Sequence, residues 1–225
     1  MIYPISKQTL QRLPLYLSYL KTLGFEYGSE NISATTIANA LRLNQVQVRK
    51  DLASISSSGK PKIGYNIQTL IVEIESFLGY DNINEAVIVG AGRLGTALLT
   101  FQGFKEYGLD ILAAFDSNPE KLGMTACSKP ILPVEELKEM CLKFNIRIGI
   151  ITTPAKCAQQ VCDLLVESGI QAIWNFAPVH LIVPPNILVQ NENMATSLAV
   201  LSNHLTERIK SGEEKNGTRS DIREK

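Results

Sequence analysis

No two cysteines of this chain form a C-x-x-C pair, and its two histidines, His180 and His204, stand far apart with no third beside them. Cys127, Cys141, Cys157 and Cys162 therefore read as reduced thiols, not as a metal cage or a disulfide framework, and no metal site is expected. Neither an H-x-x-x-H nor a Ser-His-Asp constellation is available for catalysis. No apolar run reaches the roughly 18 residues that a membrane-crossing helix needs. The opening Met1-Ile2-Tyr3-Pro4 has no basic stretch leading into an apolar one, which predicts no secretory leader and a cytoplasmic protein. Basic and acidic residues number 22 each, so there is no overall charge excess.

The zero balance hides an uneven distribution. Residues 1–75 hold eight basic and five acidic side chains, and residues 42–62 hold five basic and one acidic. A local basic surface near the N-terminus is the reading that follows, and it points to a polyanionic partner for that end of the chain. Hydrophobic residues make up 45% of the 225, enough for one large or two small buried cores.

The strongest motif is Ala86-Val87-Ile88-Val89-Gly90-Ala91-Gly92-Arg93-Leu94-Gly95, an apolar run leading into G-x-G-x-x-G. A second apolar run, Ile111 to Phe115, ends at Asp116, 21 residues after Gly95. Strand, glycine turn, helix, strand and acid in this order form the dinucleotide fingerprint. Gly90 serves the tight turn, Gly92 lets the backbone approach a pyrophosphate, and Gly95 lets the helix pack on the strand. The free amides from Ala91 through Arg93 and Leu94 open the helix toward the phosphates. Asp116 is placed to accept ribose hydroxyls. No Arg follows it in Ser117-Asn118-Pro119, which favours NAD(H) over its 2′-phosphorylated form. A methyltransferase-like nucleotide site is the competing reading.

From residue 84 on, short apolar runs alternate with helical periodicity: strands at 86–90, 110–116, 146–151 and 170–174, helices at 93–107, 134–144 and 155–168, and a short one at 119–122. That repetition predicts an α/β, Rossmann-type doubly wound parallel sheet over 84–190. Ligands of such sheets sit beyond strand C-termini, so Thr152, Thr153 and Pro154 are candidate nucleotide contacts, and Asn175, Phe176, Ala177 and Pro178 candidates for the nicotinamide end.

Residues 1–80 read as a small helical domain. Ser6 is a candidate cap for a helix carrying Leu10, Leu13, Leu17 and Leu20 on one face, interrupted at Pro14 and ending in a loop with Gly24 and Gly28. Ser33 caps a second helix over 34–41, Leu43-Asn44 turns the chain, and a third helix runs over 45–55 with Val48, Leu52 and Ile55 inward. Two short helices across a tight turn read as helix-turn-helix, spanning about Tyr16 to Ile55. Gln45, Gln47, Arg49, Lys50 and Ser54 lie on its other faces, with side chains suited to base edges and phosphates. The segment Ser56 to Tyr65, with Lys60 and Lys62, predicts a basic hairpin after that helix, a winged-helix arrangement in which Lys60, Lys62 and Tyr65 meet DNA.

A helix over 66–79 leads to the linker Gly79-Tyr80-Asp81-Asn82. At the other end, Met194, Leu198, Leu201 and Leu205 recur at 4-3-4 spacing over 193–209, a seam for packing either on its own domain or on a partner subunit. The charged stretch 211–225 predicts a disordered tail.

A dehydrogenase needs a substrate domain and a placed acid or base, and the residues outside 84–190 offer neither, which favours a sensor over an oxidoreductase. The chain also resembles the Rex family of redox-sensing repressors. The likeness rests on Arg12-Leu13-Pro14-Leu15-Tyr16, Gln47-Val48-Arg49-Lys50-Asp51-Leu52, Gly64-Tyr65-Asn66, Gly90 to Gly95, Phe115-Asp116 with Pro119 and Lys121, Trp174 to Leu181, and Glu192-Asn193-Met194-Ala195. The resemblance implies a homodimer joined by an exchanged C-terminal helix. It also implies NAD(H) as effector, palindromic operator DNA as partner, and release of that DNA when NADH rises. The chain departs from the family pattern at Pro61, where an arginine is usual, and at Phe101 and Asn193, where some relatives carry Tyr and Asp.

Overall fold

The computed structural model describes residues 5–26, 31–123, 125–126 and 128–220. The chain divides into two units, Met1–Ile83 with Gln102–Asp110, and Asn84–Phe101 with Ile111–Lys225.

In the first unit, helix α1 (Lys7–Glu26) starts where Ser6 Oγ accepts the Thr9 amide at 3.1 Å. It continues through Pro14, which removes one backbone hydrogen bond from the helix interior, and through Gly24, which was expected in the following loop. Gly28 lies outside the described residues. The buried stripe is Leu13, Tyr16, Leu17 and Leu20, while Leu10 is 43% exposed. The stripe turns toward Tyr16 because Thr9 and Tyr16 serve a buried carboxylate described below.

Strand β1 (Asn31–Ile32) pairs antiparallel with β2 (Tyr65–Asn66). Helix α2 (Ala34–Leu41) is capped by Ser33, and α3 (Gln45–Ile55) by Asn44, whose Oδ1 takes the amides of Val46 and Gln47. Between them Arg42 adopts a left-handed conformation, φ 55°, which makes the tight turn. The expected hairpin is reduced to one reciprocal pair of backbone bonds, Lys60 with Gly64, each 2.9 Å. Gly64, at φ +91°, stands where a Cβ would lie 2.2 Å from the Ile32 carbonyl oxygen, so the position takes glycine, and Asn66 caps α4 (Ile67–Leu78).

The second unit holds β3 (Asn84–Val89), α5 (Arg93–Thr100), β4 (Leu109–Asp116), β5 (Thr125–Ala126), β6 (Lys129–Pro133), α6 (Leu137–Phe144), β7 (Ile148–Ile151), α7 (Ala155–Glu167), β8 (Ala172–Asn175), β9 (Leu188–Asn191) and α8 (Met194–Ser220). The sheet order is β5-β6-β4-β3-β7-β8-β9, with β5 the antiparallel edge of an otherwise parallel, doubly wound sheet that reverses between β3 and β7. Its core is Val87, Val89, Phe115, Ile151, Leu165 and Ile173 with their neighbours.

Three further features depart from the expected pattern. The helix expected over 93–107 ends at Thr100, because Phe101 is extended and Gln102–Tyr107 forms a 3-10 turn that belongs with the first unit. There the ring of Tyr107 meets Tyr80 edge-on at 5.4 Å. Strands β5, β6 and β9 add to the expected set; β9 is an edge strand with Leu188 73% exposed, so it lacks a core strand's apolar signature. Helix α8 runs to Ser220, so 211–220 is helical and not the expected disordered tail. Residues 221–225 lie outside the described residues.

Candidate nucleotide cleft and nucleic-acid interface

The glycine turn is fixed by its neighbours. Gly90 has φ +104°, open to glycine and strained for other residues. Its amide donates to the Phe115 carbonyl at 2.7 Å, and Thr152 Oγ1 donates to its carbonyl at 2.6 Å. A Cβ on Gly95 would stand 2.0 Å from the Gly90 oxygen, so α5 packs against the turn at a distance only glycine permits. Around Gly92 the reverse holds: a Cβ there meets nothing within 4 Å, and the backbone faces open space at the start of α5.

Asp116 ends β4 with only 8% of its surface exposed. Its Oδ2 accepts the Ala91 amide at 2.8 Å and Lys121 Nζ at 2.7 Å, and its Oδ1 accepts the Asn118 amide at 2.8 Å. Burial pushes its pKa up, but the bonds from Lys121, Asn118 and Ala91 outweigh that and hold the carboxyl below its ordinary value.

These groups border a cleft of about 610 Å³ with Ser117, Val134, Thr152, Thr153, Pro154, Cys157, Gln160 and Val161. Thr153 Oγ1 is buried there without a hydrogen-bond partner among the described residues. A group with hydroxyls and phosphates suits this cleft, given an orphaned hydroxyl, a carboxylate and bare backbone at Gly92. Lys121, which the family resemblance brings in with Asp116, lines the cleft, and Val134 joins it without having been among the expected contacts. Val134 follows β6 as Thr152 follows β7, so the strand-end rule reaches it once β6 is known. Cys157, Gln160 and Val161 share one face of α7.

Other expected contacts are engaged within the protein or stand outside the cleft lining. The amide of Ala91 is spent on Asp116, and the hydroxyl of Thr152 on the Gly90 turn. Arg93 and Leu94 open α5 without lining the cleft. Nor do Phe176, Ala177 and Pro178 line it; the Phe176 ring packs on Trp174 at 4.8 Å. Asn175 is fully buried as a loop staple: its Nδ2 donates to Ala177 O, Val179 O and Asn191 Oδ1, and its Oδ1 accepts the Ala177 amide. A buried amide must have its polar atoms hydrogen-bonded, and these bonds do that within the chain.

In the first unit, Arg49, Lys50, Lys60 and Lys62 are exposed. Arg49, Lys60 and Lys62 border a shallow depression of about 470 Å³ with Ser33, Thr35 and Pro61, beside the N-terminus of α2. The remaining expected contacts are partly engaged. Gln45 Nε2 donates to Asn39 Oδ1 at 3.2 Å, Gln47 Nε2 to Asp51 Oδ1 at 2.9 Å, and Ser54 Oγ to the Asp51 carbonyl at 2.6 Å. Tyr65 is a core residue, 8% exposed, with burial raising its phenol pKa.

Residues 81–179 match the family model described as CoA binding domain, and residues 4–53 the one described as putative DNA-binding protein N-terminus. A redox-sensing transcriptional repressor Rex of Treponema denticola is 43% identical over 193 residues, 86% of this chain and 91% of the relative. The one of Bacteroides fragilis is 38% identical over 201 residues, 89% of this chain and 91% of the relative. Among solved structures, that of RSP in complex with beta-NAD+ and operator DNA matches with a TM-score of 0.85 at 31% identity, covering 95% of this chain and 98% of that one. That of RSP with beta-NADH matches with a TM-score of 0.83 at 30% identity, over 94% of this chain and 99% of that one. Matches of this coverage on both sides, spanning both units, show that the chain belongs to the Rex family.

Proposed function

We propose that this chain is a redox-sensing transcriptional repressor, a regulator and not an enzyme, which holds operator DNA when NADH is scarce and lets go when NADH rises. The observation that carries this reading is the joining, in one chain, of an exposed basic helix face (Arg49, Lys50) to a glycine-turn cleft ending in Asp116. Both parts fall in regions matched by a relative crystallised with operator DNA and with NADH.

In the cleft, bare amides at Gly92 suit a pyrophosphate, Thr153 Oγ1 supplies an unspent hydroxyl, and Val134 with Val161 gives an apolar wall for a base. Asp116 uses three of about four acceptor positions, which leaves one on Oδ1 for a ribose hydroxyl. NAD(H) supplies the redox information through the charge and planarity of its nicotinamide ring.

On the DNA side, Arg49 and Lys50 serve base edges and phosphates, and Lys60 and Lys62 the backbone, which sets affinity without reading sequence. Palindromic DNA requires a twofold protein, with recognition helices roughly 34–36 Å apart. The exposed Met194, Leu198, Leu201 and Leu205 of α8 provide the apolar seam for a homodimer. NADH then weakens DNA binding only by its differential affinity for the two arrangements of that dimer, commonly about 1–3 kcal/mol. Such a repressor works in the cytoplasm. Titrating a palindromic duplex with the protein, with NAD+ and NADH supplied separately, tests the reading directly.

A further inference from the structure

Five hydrogen bonds end on one carboxylate in the first unit. Asp51, on α3, is 2% exposed. Arg12 grips it with both prongs of its guanidinium, Nε to Oδ2 at 2.7 Å and Nη2 to Oδ1 at 3.0 Å. Tyr16 Oη donates to Oδ2 at 2.8 Å and Thr9 Oγ1 to Oδ1 at 3.1 Å. The fifth donor is Gln47 Nε2, one turn earlier on α3 itself. Thr9, Arg12 and Tyr16 follow one another at spacings of three and four along α1, so they form one face, and that face closes on a single residue of α3.

We infer that Asp51 is a positioning residue for operator recognition: it fixes the rotation and axial setting of α3 against α1, and so sets the register in which Arg49 and Lys50 meet DNA. The inference rests on the reading of α3 as the helix that enters DNA. The apolar contacts of α3, through Val48 and Leu52, are non-directional and tolerate small rotations. A two-pronged arginine–carboxylate pair with additional donors does not, because its bonds weaken steeply off axis. Asp51 directly follows Arg49 and Lys50, and a one-residue slip in helix setting would swing both cations by about 100°. Burying an ion pair is a poor way to gain stability, and its best-attested use is to specify register.

The test uses the full-length chain and two duplexes of equal length: a palindrome selected by the wild-type protein from a random pool, and a scrambled control. Asp51→Asn keeps size and one acceptor but loses the charge; Arg12→Lys keeps the charge but loses the fork; Tyr16→Phe removes one donor and keeps the ring. For Asp51→Asn and Arg12→Lys, affinity for the selected duplex should fall on the order of tenfold, the effect of about one mismatched base pair, while affinity for the scrambled duplex stays within about twofold. NADH binding should be unchanged in both, and Tyr16→Phe should show a smaller loss of the same kind. A merely structural role would lower the melting temperature and leave the selected-to-scrambled ratio intact in the folded protein. That intact ratio in Arg12→Lys and Tyr16→Phe overturns the inference even if Asp51→Asn does not fold. A wild-type protein that selects no sequence overturns the reading of α3 and this inference with it.

Discussion

Asp116 Oδ2 accepts the Ala91 amide at 2.8 Å, so the carboxylate that closes β4 also holds the glycine turn that closes β3. The fingerprint's acid and its glycines form one hydrogen-bonded unit, with Lys121 as counter-charge at 2.7 Å. Removing the charge therefore acts on ligand binding and on the turn together.

Asp116→Asn should weaken NADH binding by roughly 1.5–3 kcal/mol, the range for a hydrogen bond to a charged group, and narrow the preference over NADPH. Fluorescence titration with each coenzyme measures both. Unchanged affinity and preference would remove Asp116 from the ribose site.

Gly92 and Gly95 should behave oppositely. A methyl at Gly95 collides with the Gly90 carbonyl, so Gly95→Ala should lower the melting temperature of the second unit, with an overpacking cost of about 1–3 kcal/mol or more. Gly92→Ala meets open space and should melt like the wild type while losing NADH affinity. Normal NADH binding by Gly92→Ala would move the pyrophosphate elsewhere.

Arg49→Ala combined with Lys50→Ala should abolish preference for the selected palindrome and leave NADH binding intact, since both side chains are exposed on α3. For every cation that no longer neutralises a phosphate, the slope of log affinity against log salt should become shallower by about one. A retained sequence preference would place the reading head outside α3.

Acid should destabilise both units. Asp51 and Asp116 each titrate below their ordinary 3.8 when folded, despite burial, because Arg12, Tyr16, Gln47 and Thr9 hold the one and Lys121, Asn118 and Ala91 the other. The unfolded chain takes up those protons first, so this stability is complete above pH 3.8 and is lost as pH falls through the folded values. At the alkaline end, burial and Asp51 push Tyr16 up to about 12, so its contribution is whole below its ordinary 10.0 and fades as pH rises toward 12. Melting temperatures across pH show both edges; Asp116→Asn should flatten the acid edge of the second unit, and Tyr16→Phe the alkaline edge of the first.

What can be read from the residues divides by whether their roles are local. Glycine spacing, caps such as Ser6 and Ser33, and the apolar stripes of α2 and α3 act within a few residues, and the structure carries them as expected. Asn175, Gln47, Tyr65 and Thr152 have chemistry that suits a ligand, and the sequence offers no reason to set them aside. Asn175, Gln47 and Thr152 also hold partners inside the protein, and Tyr65 is largely buried, engagements that only the three-dimensional neighbourhood reveals. Asp51 is hidden for the same reason: its main partners lie 35 to 42 residues away. Strands β6 and β9 lack the long apolar runs of β3 and β4, and Val134 is hidden together with β6.

The central claim is that the cleft and the basic helix are coupled. A mobility titration of the selected palindrome with full-length protein, run with saturating NAD+ and then with saturating NADH, tests it most directly. The account predicts tight binding with NAD+ and at least about tenfold weaker binding with NADH, within the usual range of coupling free energies. Equal affinity under both coenzymes, with each bound in the cleft, would contradict it.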